Sequence, residues 1–135
     1  MTVTSFYPVI TSQDVATTTT FYRDILGFDT TFESDWYVSL RLGAFELAIL
    51  AHDHPTIPQG YRDLPCGIIL NLEVDDVDEL YSRLTGELNL EPVTEMRDED
   101  FGQRHFTVAA PDGVLLDVIQ PIRPSAQYAE AYTQD

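Results

Sequence analysis

Short stretches in which apolar and polar residues alternate run through most of the chain, separated by two stretches with helical spacing. Alternation with a period of two is typical of a strand that buries one face, and it is clearest where Val38, Leu40 and Leu42 share one side. Glycine and proline residues punctuate these stretches. The pattern predicts strands at Phe6–Thr11, Phe28–Glu33, Trp36–Leu42, Phe45–Leu50, Gly67–Val74, Glu91–Met96, Arg104–Ala109 and Val114–Ile119.

Two helices are predicted between the strands, each after a residue that can cap its first turn. The first follows Ser12 or Asp14 and ends at Gly27, and the second follows Asp75 or Asp76. Each helix carries a single apolar stripe, which indicates that it packs on a sheet. The stripes are Val15, Tyr22, Ile25 and Leu26 in the first helix, and Val77, Leu80, Tyr81 and Leu84 in the second.

The order of predicted elements repeats, because each half of the chain reads β-α-β-β-β. We therefore predict a first module at residues 1–50 and a second module at residues 67–122. A loop rich in proline, residues 51–66, links them. The polar tail at residues 123–135 is expected to be loosely held, although Tyr128 and Tyr132 are able to anchor a short helix there.

Asp117 is the unusual residue of the last strand, because it stands at the centre of an otherwise apolar run. The preceding residues Ala110–Gly113 favour a type I reversal, and Pro121 ends strand pairing because it has no N–H to donate. A buried carboxylate is costly unless it is paired, bound to a metal or turned to a polar cavity. We expect Asp117 either to face a ligand cavity or to pair with His105 or Arg104.

Charge and composition narrow the possible partners. The formal net charge is −16, from 23 acidic and 7 basic residues, which disfavours nucleic acids and anionic membranes. It would attract a cationic small molecule, or it reflects only an acidic background. Cys66 is the single cysteine, so neither a disulfide nor a cysteine-based metal cluster is predicted. With no apolar run near the ~20 residues of a membrane span and no signal peptide, a cytoplasmic location is expected.

Three stretches carry a family resemblance that covers nearly the whole chain, from Phe6 to Ile122. They are Asp14–Phe28 with its FYRDILGF ending, the VDDVD run at residues 74–78, and Ala110–Gly113 leading to Asp117. With them the chain resembles the glyoxalase I, bleomycin-resistance and extradiol dioxygenase proteins, the vicinal oxygen chelate superfamily. The resemblance implies an α+β fold in which two βαβββ modules form an eight-stranded curled sheet around a cavity, with the helices outside. It also implies a homodimer.

Metal-binding members of that superfamily usually take a His and a Glu from the first and last strands of each module. Carried over by position, the first-strand sites match Tyr7 and Ile69, and the last-strand sites match Ala48 and Asp117; Glu46 shares a face with Ala48. Asp117 alone is a plausible ligand, and one carboxylate does not hold a catalytic divalent ion. We therefore expect no metal, no other cofactor and no metal-dependent catalysis, as in the bleomycin-resistance type of member.

Strand alternation also sorts out a candidate ligand-binding face that mixes rings, small residues and polar groups, as ligand pockets do. Trp36 and Phe32 are placed to stack on a planar ligand, although Trp36 is equally suited to the core or a dimer contact. Arg41 and Glu46 are expected to form a cross-strand ion pair. The predicted ligand-binding residues are Tyr7, Phe32, Trp36, Tyr37, Ser39, Glu46, Ala48, Ile69, Asn71, Glu73, His105 and Asp117.

Three functions from different classes fit these features. The leading hypothesis is a protein that sequesters an antibiotic-like, aromatic or cationic molecule. The second is a lyase, isomerase or dioxygenase that uses His105 and Asp117, the two catalytic candidates, as a proton-moving pair. The third is an accessory protein that binds a metabolite without turning it over. The sequence contains no nucleophile motif or phosphate-binding glycine loop, and the His52-x-His54 pair lacks a third ligand nearby.

Overall fold

The computed structural model describes residues 1–133. They form two units, the first from Met1–Gly67 with Ala110–Val114, the second from Ile68–Ala109 with the chain from Leu115 onward. The α+β class and the β-α-β-β-β order of both halves are confirmed. The eight strands are divided between two hydrogen-bonded sheets of four strands each. The arrangement of these sheets around a shared cavity stays a prediction.

The first unit contains a mixed sheet and one helix. Its sheet order is β1-β4-β3-β2, in which β1 runs parallel to β4 and the other pairs are antiparallel. The strand β1 begins later than the predicted Phe6, after Pro8, which has no N–H to donate to a ladder. The elements are β1 (Val9–Ser12), α1 (Val15–Thr20) continued by a π-helical stretch (Phe21–Ile25), β2 (Asp29–Glu33), β3 (Tyr37–Leu42) and β4 (Phe45–Ala51).

Packing rather than helix propensity holds α1, since its sequence is VATTTT. Asp14 caps it by accepting a hydrogen bond from the Thr17 N–H at 3.1 Å. Tyr22 is 1% exposed, and the predicted end at Gly27 has a φ of +84°, which favours glycine. Of the three predicted positions Val38, Leu40 and Leu42, the first two are buried and Leu42 is only half-buried at the end of β3. The sheet residues buried on this side are Ile10, Val38, Leu40, Leu47 and Ile49.

The second unit repeats the plan in the order β5-β8-β7-β6, with β5 parallel to β8. Asp76 caps its helix through the Glu79 N–H, and Val77, Leu84 and Phe106 are fully buried between helix and sheet. None of the helices in residues 1–133 is long and apolar enough to cross a membrane. The elements are β5 (Ile69–Glu73), α2 (Val77–Tyr81) continued by a π-helical stretch (Ser82–Glu87), β6 (Pro92–Glu99), β7 (Gln103–Ala109), β8 (Leu115–Pro121) and α3 (Ala126–Ala129).

The turn before β8 differs from the predicted type I reversal. Residues Pro111–Gly113 form a 3₁₀ turn in which Asp112 has a φ of +64°, whereas a type I turn needs a negative φ there. The side chain of Asp112 explains the difference, because it accepts hydrogen bonds from the Gln13 N–H and the Thr18 hydroxyl. Aspartate tolerates the left-handed region better than most residues. After β8 the chain forms α3, the short helix that the sequence allowed at Tyr128, and the Tyr132 hydroxyl donates to the Phe101 carbonyl.

Candidate functional site

Each sheet has one face against its helix, and we call the other the helix-free face. In the first unit the ladder places Ala48 directly between Val9 and Ser39 on that face. Tyr37 and Glu46 lie at neighbouring positions with the same orientation, because side chains two residues apart share a face. The structure therefore brings the predicted residues of the first half together on one surface.

An aromatic cluster of Phe32, Trp36, Tyr37 and His54 borders this surface. The Trp36 and His54 rings stack with centroids 3.8 Å apart and planes 7° apart. Tyr37 makes tilted or edge contacts with both Trp36 and Phe32, at 5.9 Å and 6.2 Å. Phe32 remains 55% exposed and Trp36 37% exposed, so the cluster presents flat apolar surface to a ligand.

A pair of phenols adds hydrogen-bonding groups beside the aromatic cluster. Burial and a hydrogen bond with Tyr7 both raise the pKa of Tyr37 above its usual range, while a hydrogen bond with Ser39 lowers it. Tyr37 is thus a neutral phenol throughout the physiological range. With Tyr7 and Ser39 it supplies hydroxyl donors and acceptors next to the rings, which is the makeup of a site for a planar polar molecule.

The expected ion pair between Arg41 and Glu46 is wrong, although the ladder does place the two residues opposite each other. The Glu46 carboxylate instead accepts a hydrogen bond from the Ser5 hydroxyl. Arg41 is an exposed residue and makes no ion pair with any residue from 1 to 133. The helix-free face of the first unit therefore keeps a cation at one position and a carboxylate held by a hydroxyl at the next.

The helix-free face of the second unit carries the remaining predicted residues in two rows. One row is Asn71, Asp117 and Thr107, and the next is Glu73, Ile119 and His105. Ile69 lies at the near end of β5 and is 58% exposed. Strand register alone brings these side chains together, because β8 is paired on both sides.

His105 lies between two carboxylates on this face. Its Nδ1 is 2.7 Å from Asp117 Oδ1, and its Nε2 is 2.8 Å from Glu99 Oε2. Arg97 also binds Glu99, at 2.7 Å. The predicted pair of Asp117 with His105 is confirmed as a contact; Arg104, the alternative partner, binds Asp78 and Asp98 instead.

The surroundings of His105 favour its protonated form. Burial opposes protonation, but hydrogen bonds to Glu99 and Asp117, together with their charges, outweigh it and raise the pKa of His105. The hydrogen bond from His105, and then the one from Arg97, lower the pKa of Glu99. The group is therefore an imidazolium that donates one hydrogen bond to each carboxylate.

This geometry bears on the catalytic hypothesis for His105. Both ring nitrogens are engaged, and the side chain is 9% exposed. A general base needs a free nitrogen within hydrogen-bond reach of a substrate proton, so Glu99 or Asp117 would first have to move. As it stands, the network joins Glu99 of β6, His105 of β7 and Asp117 of β8 through hydrogen bonds.

Sequence reasoning missed three contributors to these surfaces: Glu99, His54 and Ser5. Glu99 fell outside the predicted strand Glu91–Met96, which in the structure runs from Pro92 to Glu99. The extension lies in the polar run MRDED, residues 96–100, which after Met96 lacks the apolar residues expected of a strand. The ability of this run to pair with the following strand was a usable signal. His54 was considered only as a metal ligand, and nothing in the sequence indicated that the loop would stack it on Trp36.

The ligand positions of metal-binding relatives do not fit a metal ion in this chain. Ala48 and Ile69 offer no donor atom, Tyr7 is a poor ligand, and Asp117 is committed to His105. Among residues 1–133 no three His, Cys, Asp or Glu side chains are grouped so as to hold an ion. The donor set of these residues is that of a charge network rather than of a metal centre.

Comparison with known families and proteins agrees with this architecture. Residues 5–118 match the family described as the Glyoxalase/Bleomycin resistance protein/Dioxygenase superfamily. A bleomycin resistance protein from Geobacillus stearothermophilus is 24% identical over 126 residues, covering 86% of this chain and 96% of the relative.

Solved structures of different function share the fold. An antibiotic binding protein from Streptomyces sp. CB03234 superposes with a TM-score of 0.70 at 22% identity, covering 90% of this chain and 98% of that one. A lactoylglutathione lyase from Agrobacterium tumefaciens superposes with a TM-score of 0.72 at 17% identity, covering 88% and 95%. A binding protein and an enzyme thus match about equally well, so the fold does not choose between them.

Proposed function

Because the chain belongs to the Glyoxalase/Bleomycin resistance protein/Dioxygenase superfamily, we propose that it binds an antibiotic-like, aromatic or cationic small molecule and sequesters it without a metal ion. The aromatic cluster is the observation that carries this proposal. Its rings are packed against one another yet partly exposed, and the hydroxyls of Tyr7, Tyr37 and Ser39 lie beside them. Such a surface binds planar molecules without first desolvating a charge.

Sequestration is favoured over catalysis by the state of the acid–base groups. In the pair of His105 and Asp117, the alternative catalytic candidates, the second ring nitrogen of His105 is occupied by Glu99. The net charge of −16 would attract a cationic ligand to the protein. A bleomycin resistance protein and an antibiotic binding protein among the similar proteins support the same ligand class. We propose that the protein acts as a cytoplasmic homodimer. Light scattering on the purified protein tests the dimer.

Calorimetric titration tests the binding. Bleomycin and peptide antibiotics are titrated into protein kept in a chelator, and the expected result is binding at micromolar Kd. Trp36→Ala is expected to weaken it about tenfold or more, because aromatic anchor residues contribute much of the binding energy of a contact surface. Phe45→Ala is the matched control, since Phe45 is 75% exposed and shares the strand face of the buried Leu47.

Three results would contradict the proposal. The first is that none of these antibiotics binds at micromolar Kd, and the second is an equal loss of affinity in both variants. The third concerns the metal: elemental analysis of protein purified without chelator is expected to find no stoichiometric ion. A bound Zn²⁺, Ni²⁺, Mn²⁺ or Fe²⁺ at one per chain would favour the enzyme hypothesis instead.

A further inference from the structure

A groove of about 400 Å³ lies in the second unit, and we call it the C-terminal groove. Glu73 at the end of β5 and Gln103 at the start of β7 form its sheet side. The chain after β8 forms the opposite walls. These walls are mainly apolar and consist of Pro121, Ile122, Pro124, Ala129 and Tyr132. Its volume falls within the usual range for small-molecule pockets.

The wall built by the tail is held in a defined position. The Ile122 N–H donates to the Gly102 carbonyl at 2.9 Å, and the Ser125 N–H donates to the Asp100 carbonyl at 2.8 Å. The Tyr132 hydroxyl donates to the Phe101 carbonyl. Gly102 has a φ of +111°, and a Cβ there would come within 3.0 Å of the Tyr132 hydroxyl. The close approach of the tail therefore depends on the absence of a side chain at Gly102.

The C-terminal groove is a feature of this chain beyond its family match. The match ends at residue 118, whereas the five wall residues of the tail side all follow it. A site that rests on these walls therefore lies outside the residues that the family model matches.

The charge and the apolar walls of the C-terminal groove favour one class of ligand over others. The Glu73 carboxylate makes no hydrogen bond or ion pair with any residue from 1 to 133, and the amide of Gln103 is also without a side-chain partner there. One uncompensated carboxylate beside apolar walls and a tyrosine ring complements a cation with an apolar body. An anion would meet both Glu73 and the net charge of −16.

We propose that the C-terminal groove binds small organic ammonium ions, with Glu73 as the partner of the ammonium group and Tyr132 as an apolar wall. This inference does not rest on antibiotic binding, because of the groove residues Glu73 alone belongs to the ligand-binding set predicted above. The two proposals can fail separately, since each is tested with its own probe and its own variants.

Amide chemical shifts in a ¹H–¹⁵N NMR titration test the inference. The probe is benzylammonium chloride at neutral pH, and benzyl alcohol serves as its uncharged isostere. We expect saturable shifts at Glu73, Gln103 and Ile122 with a millimolar Kd. Glu73→Gln should weaken binding about fivefold, as expected for one partly exposed ion pair.

Glu91→Gln is the control variant, since it removes the same charge from an exposed residue of the second unit that does not line the groove. It should leave the Kd of benzylammonium within about twofold, because the effect of a distant surface charge is screened by salt. Equal shifts with benzyl alcohol, an equal loss with Glu91→Gln, or no saturable shift at the groove would each overturn the inference.

Discussion

The helix-free faces of the two units rest on the same strand order but carry different chemistry. In the first unit the face is bordered by exposed rings, and the phenol of Tyr37, whose pKa is raised, hydrogen-bonds with Tyr7. In the second unit the centre of the face is the imidazolium of His105 between Asp117 and Glu99. The first face exposes apolar ring surface to a ligand, whereas the charged groups of the second face are hydrogen-bonded to one another.

The difference indicates a division of tasks. A ligand that binds the aromatic cluster displaces water from the rings at little cost, and its polar groups replace the water that hydrogen-bonds to the hydroxyls. A ligand that replaced Glu99 or Asp117 at His105 would have to break a charge-assisted hydrogen bond, which is among the stronger interactions in proteins. We therefore expect substitutions in the second unit to change stability first, and substitutions in the first unit to change binding first.

His105→Ala should give the largest effect. It removes the common partner of two largely enclosed carboxylates, so we expect unfolding in urea at pH 6 to show a loss of about 3 kcal/mol. Arg97→Gln is the control: its side chain is 61% exposed, and an ion pair of that kind contributes at most about 1 kcal/mol. A loss for His105→Ala no larger than that of the control would mean that the network contributes little.

The pH dependence of stability tests the contribution of the His105 network in the wild-type chain. The folded pKa of His105 lies above the ~6.5 of an unfolded histidine, so its contribution is full below about pH 6.5 and is lost as pH rises through the folded value. The folded pKa of Glu99 is lowered, so its contribution is present above about pH 4.3 and is lost as pH falls through the folded value.

The network is therefore expected to stabilise the fold most between about pH 4.3 and 6.5. Thermal unfolding across pH 3–9 measures this, with His105→Ala as the reference. The alkaline fall in stability should flatten in that variant. If both proteins lost stability alike above pH 6.5, the protonated histidine would not be the cause.

Local signals predicted most of the fold. The alternation at Val38 and Leu40, the caps at Asp14 and Asp76 and the helix end at Gly27 each depend on a few neighbouring residues, and all are present in the structure. Such features are readable because the burial period and the capping bonds are set within one or two turns of chain.

Contacts between distant residues were predictable only in part. The His105 and Asp117 pair followed from the strand pattern. Predicting Glu99 as a partner required knowing where β6 ends. Predicting the left-handed conformation of Asp112 required knowing its contact with Thr18, 94 residues away. The Arg41 and Glu46 ion pair shows the converse, because correct register did not secure the contact once Ser5 competed for the carboxylate. The sequence does not specify which of several polar partners a side chain takes.

A smaller effect concerns buried hydroxyls without partners, of which each unit has examples. The Tyr22 hydroxyl in the first unit and the Thr107 hydroxyl in the second are buried and make no hydrogen bond within residues 1–133. Burial first, and then the charge of Asp112, raise the pKa of Tyr22 to about 12, so the phenol is neutral. Tyr22→Phe and Thr107→Val should each stabilise the protein by up to about 1 kcal/mol in urea unfolding, because an unsatisfied polar group is removed.

Thr18→Val provides the opposite expectation in the same experiment. Its hydroxyl donates to Asp112 at 2.9 Å and contacts the Ser12 hydroxyl at 2.8 Å. Its loss should cost about 1 kcal/mol, because a satisfied buried group is removed and Asp112 loses a donor. A destabilisation by Tyr22→Phe as large as that of Thr18→Val would show that the Tyr22 hydroxyl has a partner, such as a buried water.

The smallest effect on stability is expected for His54→Ala, which compares a histidine of the first unit with His105 of the second. The change removes the ring stacked at 3.8 Å on Trp36, and a pair of this kind contributes about 0.5 kcal/mol at a partly exposed site. Since Trp36 is the single tryptophan, its emission reports the change directly. A loss for His54→Ala equal to that of His105→Ala would remove the contrast between a binding surface and a structural network, because the aromatic cluster would then be as necessary to the fold as the ions are.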